Sequence, residues 1–334
     1  MSTIEYRHKG WLYRVIKDLE KKDLEVFVQD ELNTPIPERL FKYYSLSQYS
    51  VEALTEGFLF AAHPRHFNDP YDCNKHIFDL TSTPLEIYTN YLKVLEESDP
   101  SLSISNLFQT DKEELDKLYL EAFWQIMYSK CGIVSLTDNP VSIQMWAYYS
   151  RLSGFQIAVN TPDLPKSFKG PIKVRYIEDF DKIPITEDLF LPTLYQITNK
   201  EINWKHESEW RFLVIGPNEM EVPFALFKTL QKNPHNRKFT YNSKAIAELT
   251  LGCYFFTPEE NTIMEKNRMI FDLSRTDHNE KELKAGVLNF IQANPHIAVY
   301  MLFWEKLNDF ILHRVPCTIE RIGSSVYEMK TFLK

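Results

Sequence analysis

The chain has 334 residues, of which 44% are hydrophobic, 14% aromatic and 25% charged, with a formal net charge of −8. That composition is globular, leaves ample chain for one large core or two, and excludes disorder over most of the length, because aromatic and aliphatic residues recur throughout. The acidic balance argues against a surface that binds nucleic acid everywhere, though a local basic groove stays open.

In chain order, residues 1–38 read as an N-terminal extension, a leading helix plus a strand, closed by the breakers Pro35 and Pro37. A core domain is expected over 39–255. It opens on the aromatic strand-like run Leu40–Tyr44, then polar Ser45–Ser50, then helical spacing at Val51, Leu54 and Phe58, with Gly57 ending the helix. Phe58–Ala62 reads as a second strand running into the dense loop His63–Pro70. Residues 77–130 form a helical insertion: Pro84 begins Leu85–Glu97, and Asp111 begins a helix with Leu115, Leu118, Tyr119, Ala122, Phe123, Ile126 and Met127 at i, i+3, i+4 intervals.

Cys131–Leu136 is a third strand, Val141–Arg151 a short helix, Phe155–Val159 a fourth strand and Ile172–Ile177 a fifth. Trp204–Ile215 is expected as one extended segment, with Glu207, Glu209 and Arg211 on one side and His206, Ser208 and Trp210 on the other. Ala245–Leu251 is a further strand closed by Gly252. Residues 256–334 are expected to be a mostly helical C-terminal extension, with helices at Thr257–Met269 and Asn279–Asn294. The apolar run Ile297–Trp304 fits either a strand or a buried helix. The fold class is therefore α+β, with a mixed sheet and a split sheet as its variant.

With only 9 glycines, neither a G-x-G-x-x-G nor a Walker-type phosphate loop occurs. The cysteines Cys73, Cys131, Cys253 and Cys317 form no C-x-x-C pair, and no histidines stand at H-E-x-x-H spacing, so no metal site is expected. Met1–Lys17 lacks an apolar export segment and the apolar runs are too short to cross a membrane, so a cytoplasmic protein with reduced thiols and no membrane partner is expected.

Four polar clusters fall at the ends of these elements: Lys42 with Tyr44, the Phe67–Asp72 loop, Trp146 with Tyr149, and Glu207, Glu209 and Arg211. Each has a bland reading beside a functional one. Carboxylate and arginine can be an ordinary ion pair, Asn68-Asp69-Pro70 an ordinary turn, and Trp146 with Tyr149 at i, i+3 plain core.

The order of L-F-K-Y-Y-S, L-T-E-G-F-L-F-A-A-H-P-R-H-F-N-D-P-Y-D-C, M-W-A-Y-Y-S-R-L-S-G-F-Q-I-A-V and W-K-H-E-S-E-W-R-F-L-V, spanning Leu40 to Gly252, resembles a bacterial family catalogued as domain of unknown function 2971. A weaker resemblance is to the ADP-ribosyltransferase fold. It rests on an aromatic-basic first strand, a helix ending in Gly, a second strand and a late strand carrying Glu209. That resemblance implies NAD, used as a substrate, in the cleft of a split mixed sheet. Lys42 or Tyr44 then stands where the family has a first-strand His or Arg, and His63 or Asn68 takes the middle position.

The roles it implies are Glu209 stabilising charge on the ribose, and Glu207 or Tyr44 deprotonating the acceptor. Lys42, Arg65 or Arg211 would hold the pyrophosphate, and Trp146 or Tyr149 would stack on a ring, with Tyr43, Asn68 and Asp69 completing the NAD-binding set. Toxins and phage-defence effectors that modify a nucleic acid or a protein are the roles such families suggest, with the N- or C-terminal extension as a partner surface. Two other classes stay open: a non-catalytic nucleotide or nucleic-acid sensor, and a metal-dependent nuclease using Asp69, Asp72, Glu207 and Glu209.

Overall fold

The computed structural model describes residues 1–18, 23–74, 77–81, 112–184, 190–215, 237–265, 267–304 and 311–332, with single positions between 84 and 93. Among them, eleven strands form one mixed sheet. Its order is Asn261–Glu265, Arg268–Asp272, Val326–Thr331, Leu312–Arg321, Ala298–Trp304, Ile246–Leu251, Phe155–Asn160, Arg39–Tyr44, Cys131–Thr137, Glu209–Ile215 and Phe168–Lys173. Every neighbouring pair is antiparallel except Ile246–Leu251 with Ala298–Trp304. A parallel pair needs a long crossover, and the chain between these two strands includes the helix His278–Ala293. The architecture is α+β.

Side-chain alternation divides the sheet between two cores. On the strand Glu209–Ile215, Trp210, Phe212 and Val214 join Leu40, Val134 and Leu136 beneath the helices Gln48–Glu56 and His278–Ala293. Leu213 faces the other way with Cys131 and Ile133, against Tyr119 and Phe123 of the helix Lys112–Lys130, Leu194 and Tyr195 of the helix Phe190–Thr198, and Trp11, Tyr13 and Val15. Period-2 alternation thus puts Glu209 and Arg211 on the Leu213 side.

The first helix follows its sequence signals. Ser47, in extended conformation, accepts from Ser50 N at 3.2 Å, and Gly57 closes the helix at φ 68. The strands Arg39–Tyr44, Cys131–Thr137, Phe155–Asn160 and Ile246–Leu251 and the helices Lys112–Lys130, Ile143–Ser150 and His278–Ala293 also fall where the sequence puts them. The segment expected at Ile172–Ile177 is divided between Phe168–Lys173, in the large sheet, and Arg175–Ile177, which pairs with Asn199–Glu201. The helix expected at Leu85–Glu97 lies, apart from isolated positions, outside the described residues.

Three expectations are corrected. The N-terminal extension holds no helix among the described residues: Ser2–His8, Trp11–Asp18 and Asp23–Gln29 form an antiparallel three-stranded sheet. Lys9 and Gly10, at φ 44 and 82, make the two-residue turn of the first hairpin, and Trp11, Tyr13 and Val15 carry the buried strand period. The region 256–334 is not mostly helical, because strands Asn261–Glu265, Arg268–Asp272, Ala298–Trp304, Leu312–Arg321 and Val326–Thr331 extend the main sheet, with one long helix among the described residues. Met269 and Phe271 alternate into the core with strand period, so Pro258 starts only a turn. Finally, Trp204–Glu207 is not extended. Ile202–Glu207 is a 3₁₀ helix ended by Ser208 at φ 45, and the strand begins at Glu209.

One irregularity of the sheet makes room for a site. Arg39–Tyr44 pairs along all six residues with Phe155–Asn160, but with Cys131–Thr137 only at Phe41↔Thr137. Beyond that point the two strands part, and a cleft of about 570 Å³ takes lining residues from both.

Candidate functional site

Lys42 and Tyr44 enter the cleft from one parted strand, and Ile133, Ser135 and Leu136 from the other. Tyr49 and Ser50 come from the first helix, His66, Phe67, Asn68 and Asp72 from the loop after Phe60, and Tyr148 and Tyr149 from the helix Ile143–Ser150. Glu207, Glu209 and Lys200 close the polar end. Lys42 spans the opening and donates to Ser135 O at 2.8 Å, supplying a donor where the strand ladder has ended.

The polar end is a buried ion network. Arg211, wholly buried, gives Nε to Glu209 Oε1 at 2.8 Å and Nη2 to Glu209 Oε2 at 2.9 Å. It also gives Nη1 to Asp72 Oδ1 at 2.8 Å and to Ile197 O at 2.9 Å, with Nη2 donating to the second Asp72 oxygen. Such paired, planar contacts to two carboxylates are what a guanidinium can do and an ammonium cannot. Lys200 sits between the acids: its Nζ donates to Glu207 Oε2, donates to Glu209 Oε2 at 3.2 Å and lies 3.4 Å from Asp72 Oδ2. Glu207 Oε1 accepts from Tyr149 Oη at 2.6 Å, and Asn68 Nδ2 donates to that same hydroxyl at 3.4 Å.

The two glutamates are held in different states. Burial pushes the Glu209 carboxyl up, but Arg211 and Lys200 outweigh it and hold the group well below the usual range, firmly ionised. Burial and then the Glu209 charge push Glu207 up, against Lys200 and the Tyr149 hydrogen bond, and the net shift is upward. Burial lowers Lys42, with Glu209 and Glu207 pulling the other way. Burial also raises Tyr149, and Glu207 adds to it. Glu209 already takes two contacts from Arg211 and one from Lys200, so it has little accepting capacity left. Glu207 takes one donor on each oxygen and can still accept from a ligand.

Of the residues singled out in the sequence, Lys42, Tyr43, Tyr44, Asn68, Tyr149, Glu207 and Glu209 line the cleft. Four do not. Trp146 is fully buried, donates Nε1 to Pro140 O at 3.0 Å and packs edge-on against Tyr43, so it is core. Arg65 turns out to Glu121 at 2.8 Å. Asp69 is buried and spends Oδ1 on Tyr71 N at 2.8 Å, the ordinary Asx turn. Arg211 stands behind the wall, committed to Asp72 and Glu209. For the nuclease reading, the carboxylates of Asp72, Glu207 and Glu209 converge on Lys200 and Arg211, so protein cations already occupy the space between them.

Sequence reasoning missed Lys200, Ser135 and Tyr148. Lys200 belongs to no motif: it lies on Asn199–Glu201, which pairs in parallel with Arg175–Ile177, and only that pairing carries it under the glutamates. Comparison with family models, with curated proteins and with solved structures finds no match to this chain.

Proposed function

We propose that the protein is an enzyme that transfers the ADP-ribosyl group of NAD to an acceptor, with Glu207 rather than Glu209 as the working carboxylate. The observation that carries this reading is the pairing, in one cleft, of an ionised glutamate with little accepting capacity left and a second glutamate that takes only one donor on each oxygen, one of them a tyrosine hydroxyl. The walls suit flat heteroaromatic rings, since Tyr44, Tyr49, Phe60, Phe67, Tyr148 and Tyr149 all face the cavity. Lys42 is the cation available to a phosphate oxygen, as Lys200 and Arg211 are occupied by carboxylates.

In the reaction, the bond between the ribose carbon and the nicotinamide nitrogen breaks and the electron pair leaves with nicotinamide. The oxocarbenium charge that develops is stabilised by the fixed negative charges of Glu209 and Glu207. An acceptor hydroxyl or amine then bonds to the ribose carbon, and its proton passes to Glu207, which Tyr149 and Lys200 keep oriented. The acceptor is a nucleic acid or a protein, and the carboxylate chemistry is the same for both.

The test is nicotinamide release from NAD by the purified chain and by Glu207→Gln. The expected result is release by the original chain and a loss on the order of a hundredfold or more in the variant, at unchanged melting temperature. Release unaffected by Glu207→Gln would remove this residue from the mechanism. Saturable NAD binding without release would instead make the cleft a nucleotide sensor.

A further inference from the structure

The two glutamates leave the backbone at an unusual place. Ser208, between them, is held in the left-handed region at φ 45, where a residue with a Cβ is strained. A single carboxylate grips the residues on either side of Glu209. Asp138 accepts from Ser208 Oγ on Oδ1 and from Trp210 Nε1 on Oδ2 at 3.0 Å, while its own N–H donates to Ser208 O at 3.3 Å. The backbone of Glu209 is held separately, its N–H by Tyr176 Oη at 2.8 Å and its carbonyl by Val174 N–H at 2.9 Å. Asp138 follows the strand Cys131–Thr137, which supplies Ser135 and Leu136 to the cleft, and it is itself exposed.

We propose that Asp138 is a positioning residue: by holding Ser208 and Trp210, it keeps the chain in the turn that aims the Glu207 and Glu209 carboxylates into the cleft. Asp138 bonds side chains 208 and 210, and Trp210 points away from Glu209 and Arg211 on the strand. Asp138 therefore reaches this segment from the side opposite the Glu209 carboxylate, is not among the residues that line the cleft and touches neither carboxylate. Without it, Ser208 relaxes toward extended backbone and Glu207 turns away from Tyr149 and Lys200. The proposal rests on reading Glu207 as the working carboxylate. Facing that carboxylate are Tyr149 from its helix, Lys200 from Asn199–Glu201, Glu209 from the next strand, Lys42 across the opening and Tyr176 behind.

The experiment compares Asp138→Asn, Ser208→Ala and Ser208→Gly with the original full-length chain. It measures nicotinamide release as separate kcat and KM, and the carboxyl titration of Glu207 by ¹³C NMR. Asp138→Asn and Ser208→Ala are expected to lower kcat by on the order of tenfold to a hundredfold at unchanged KM, and to displace the Glu207 titration. Ser208→Gly, which tolerates the left-handed backbone, is expected to retain more activity than Ser208→Ala. Unchanged kcat and titration in Asp138→Asn would overturn the proposal, as would a change confined to KM. If the original chain releases no nicotinamide, the enzyme reading falls, and the Glu207 titration alone decides whether Asp138 positions it. A displaced titration upholds the proposal, and coincident curves overturn it.

Discussion

The described residues contain two buried ion clusters, and only one of them borders the cleft. In the C-terminal half, Lys284 and Glu260 are almost wholly buried and pair at 2.7 Å. Both oxygens of Glu260 are taken, Oε1 by Lys284 and Thr276 and Oε2 by Thr257 N–H at 2.8 Å. That cluster pins the turn at Thr257–Asn261 to the helix His278–Ala293, and neither Lys284 nor Glu260 lines the cleft. The Asp72–Arg211–Glu209–Lys200–Glu207 network is as deeply buried, yet it lies where two strands part and leaves Glu207 with room to accept. Burial of charge is common to both. Surplus acceptor capacity at an opening in the sheet belongs to only one.

The largest effect that would break this comparison is on stability. Arg211→Met leaves Asp72 and Glu209 buried without their main partner and should cost about 3–5 kcal/mol, read from the denaturant midpoint. Lys284→Met, which strands Glu260, should cost a similar amount, about 3–5 kcal/mol, but leave nicotinamide release per folded molecule unchanged. Equal loss of turnover in both variants would erase the distinction between the clusters. Next in size is Gly154→Ala: a Cβ there would lie 1.9 Å from Tyr44 O, so the end of the Arg39–Tyr44 strand must shift. Destabilisation of about 1–3 kcal/mol and a raised KM for NAD are expected, and an unchanged KM would detach that strand end from ligand binding.

Tyr149→Phe removes the hydroxyl that donates to Glu207 and should lower kcat by roughly tenfold, the equivalent of one hydrogen bond to a charged group. The smallest effects are in pH dependence. Because the Glu207 carboxyl is raised, the acid limb of kcat should lie above the ordinary glutamate value, and an acid limb at that value would contradict the assignment. The Glu209 carboxyl is lowered, so its contribution to stability is complete above the usual carboxylate pKa and is lost as the pH falls through the lowered value. The denaturant midpoint should therefore fall on acidification below about pH 4.5, and less so in Glu209→Gln.

Much of the candidate site's lining was legible from the sequence for a physical reason. Residues at strand ends beside dense polar loops tend to converge at one edge of a sheet, and Lys42, Tyr44, Asn68, Tyr149, Glu207 and Glu209 do so. Trp146 misled because a tryptophan on a short helix, three residues before the cleft-lining Tyr149, reads alike as core or as platform. Lys200 was invisible, because its importance comes from a parallel pairing across the Ile177–Asn199 interval that no local pattern announces.

Local chemistry in the sequence determined the α+β class, the first helix with its Ser47 and Gly57 ends, and the strand alternation that puts Glu209 and Arg211 together. These depend on side-chain period and backbone freedom, which act over a few residues. Tertiary structure alone decided that 256–334 extends the main sheet, that Arg39–Tyr44 and Cys131–Thr137 part after one pair, and that Arg211 serves Glu209 rather than a ligand. Each of those outcomes depends on which distant partner satisfies a strand edge or a buried charge. That choice is made by packing and desolvation over the whole core, so the same residues in a linear reading support more than one answer.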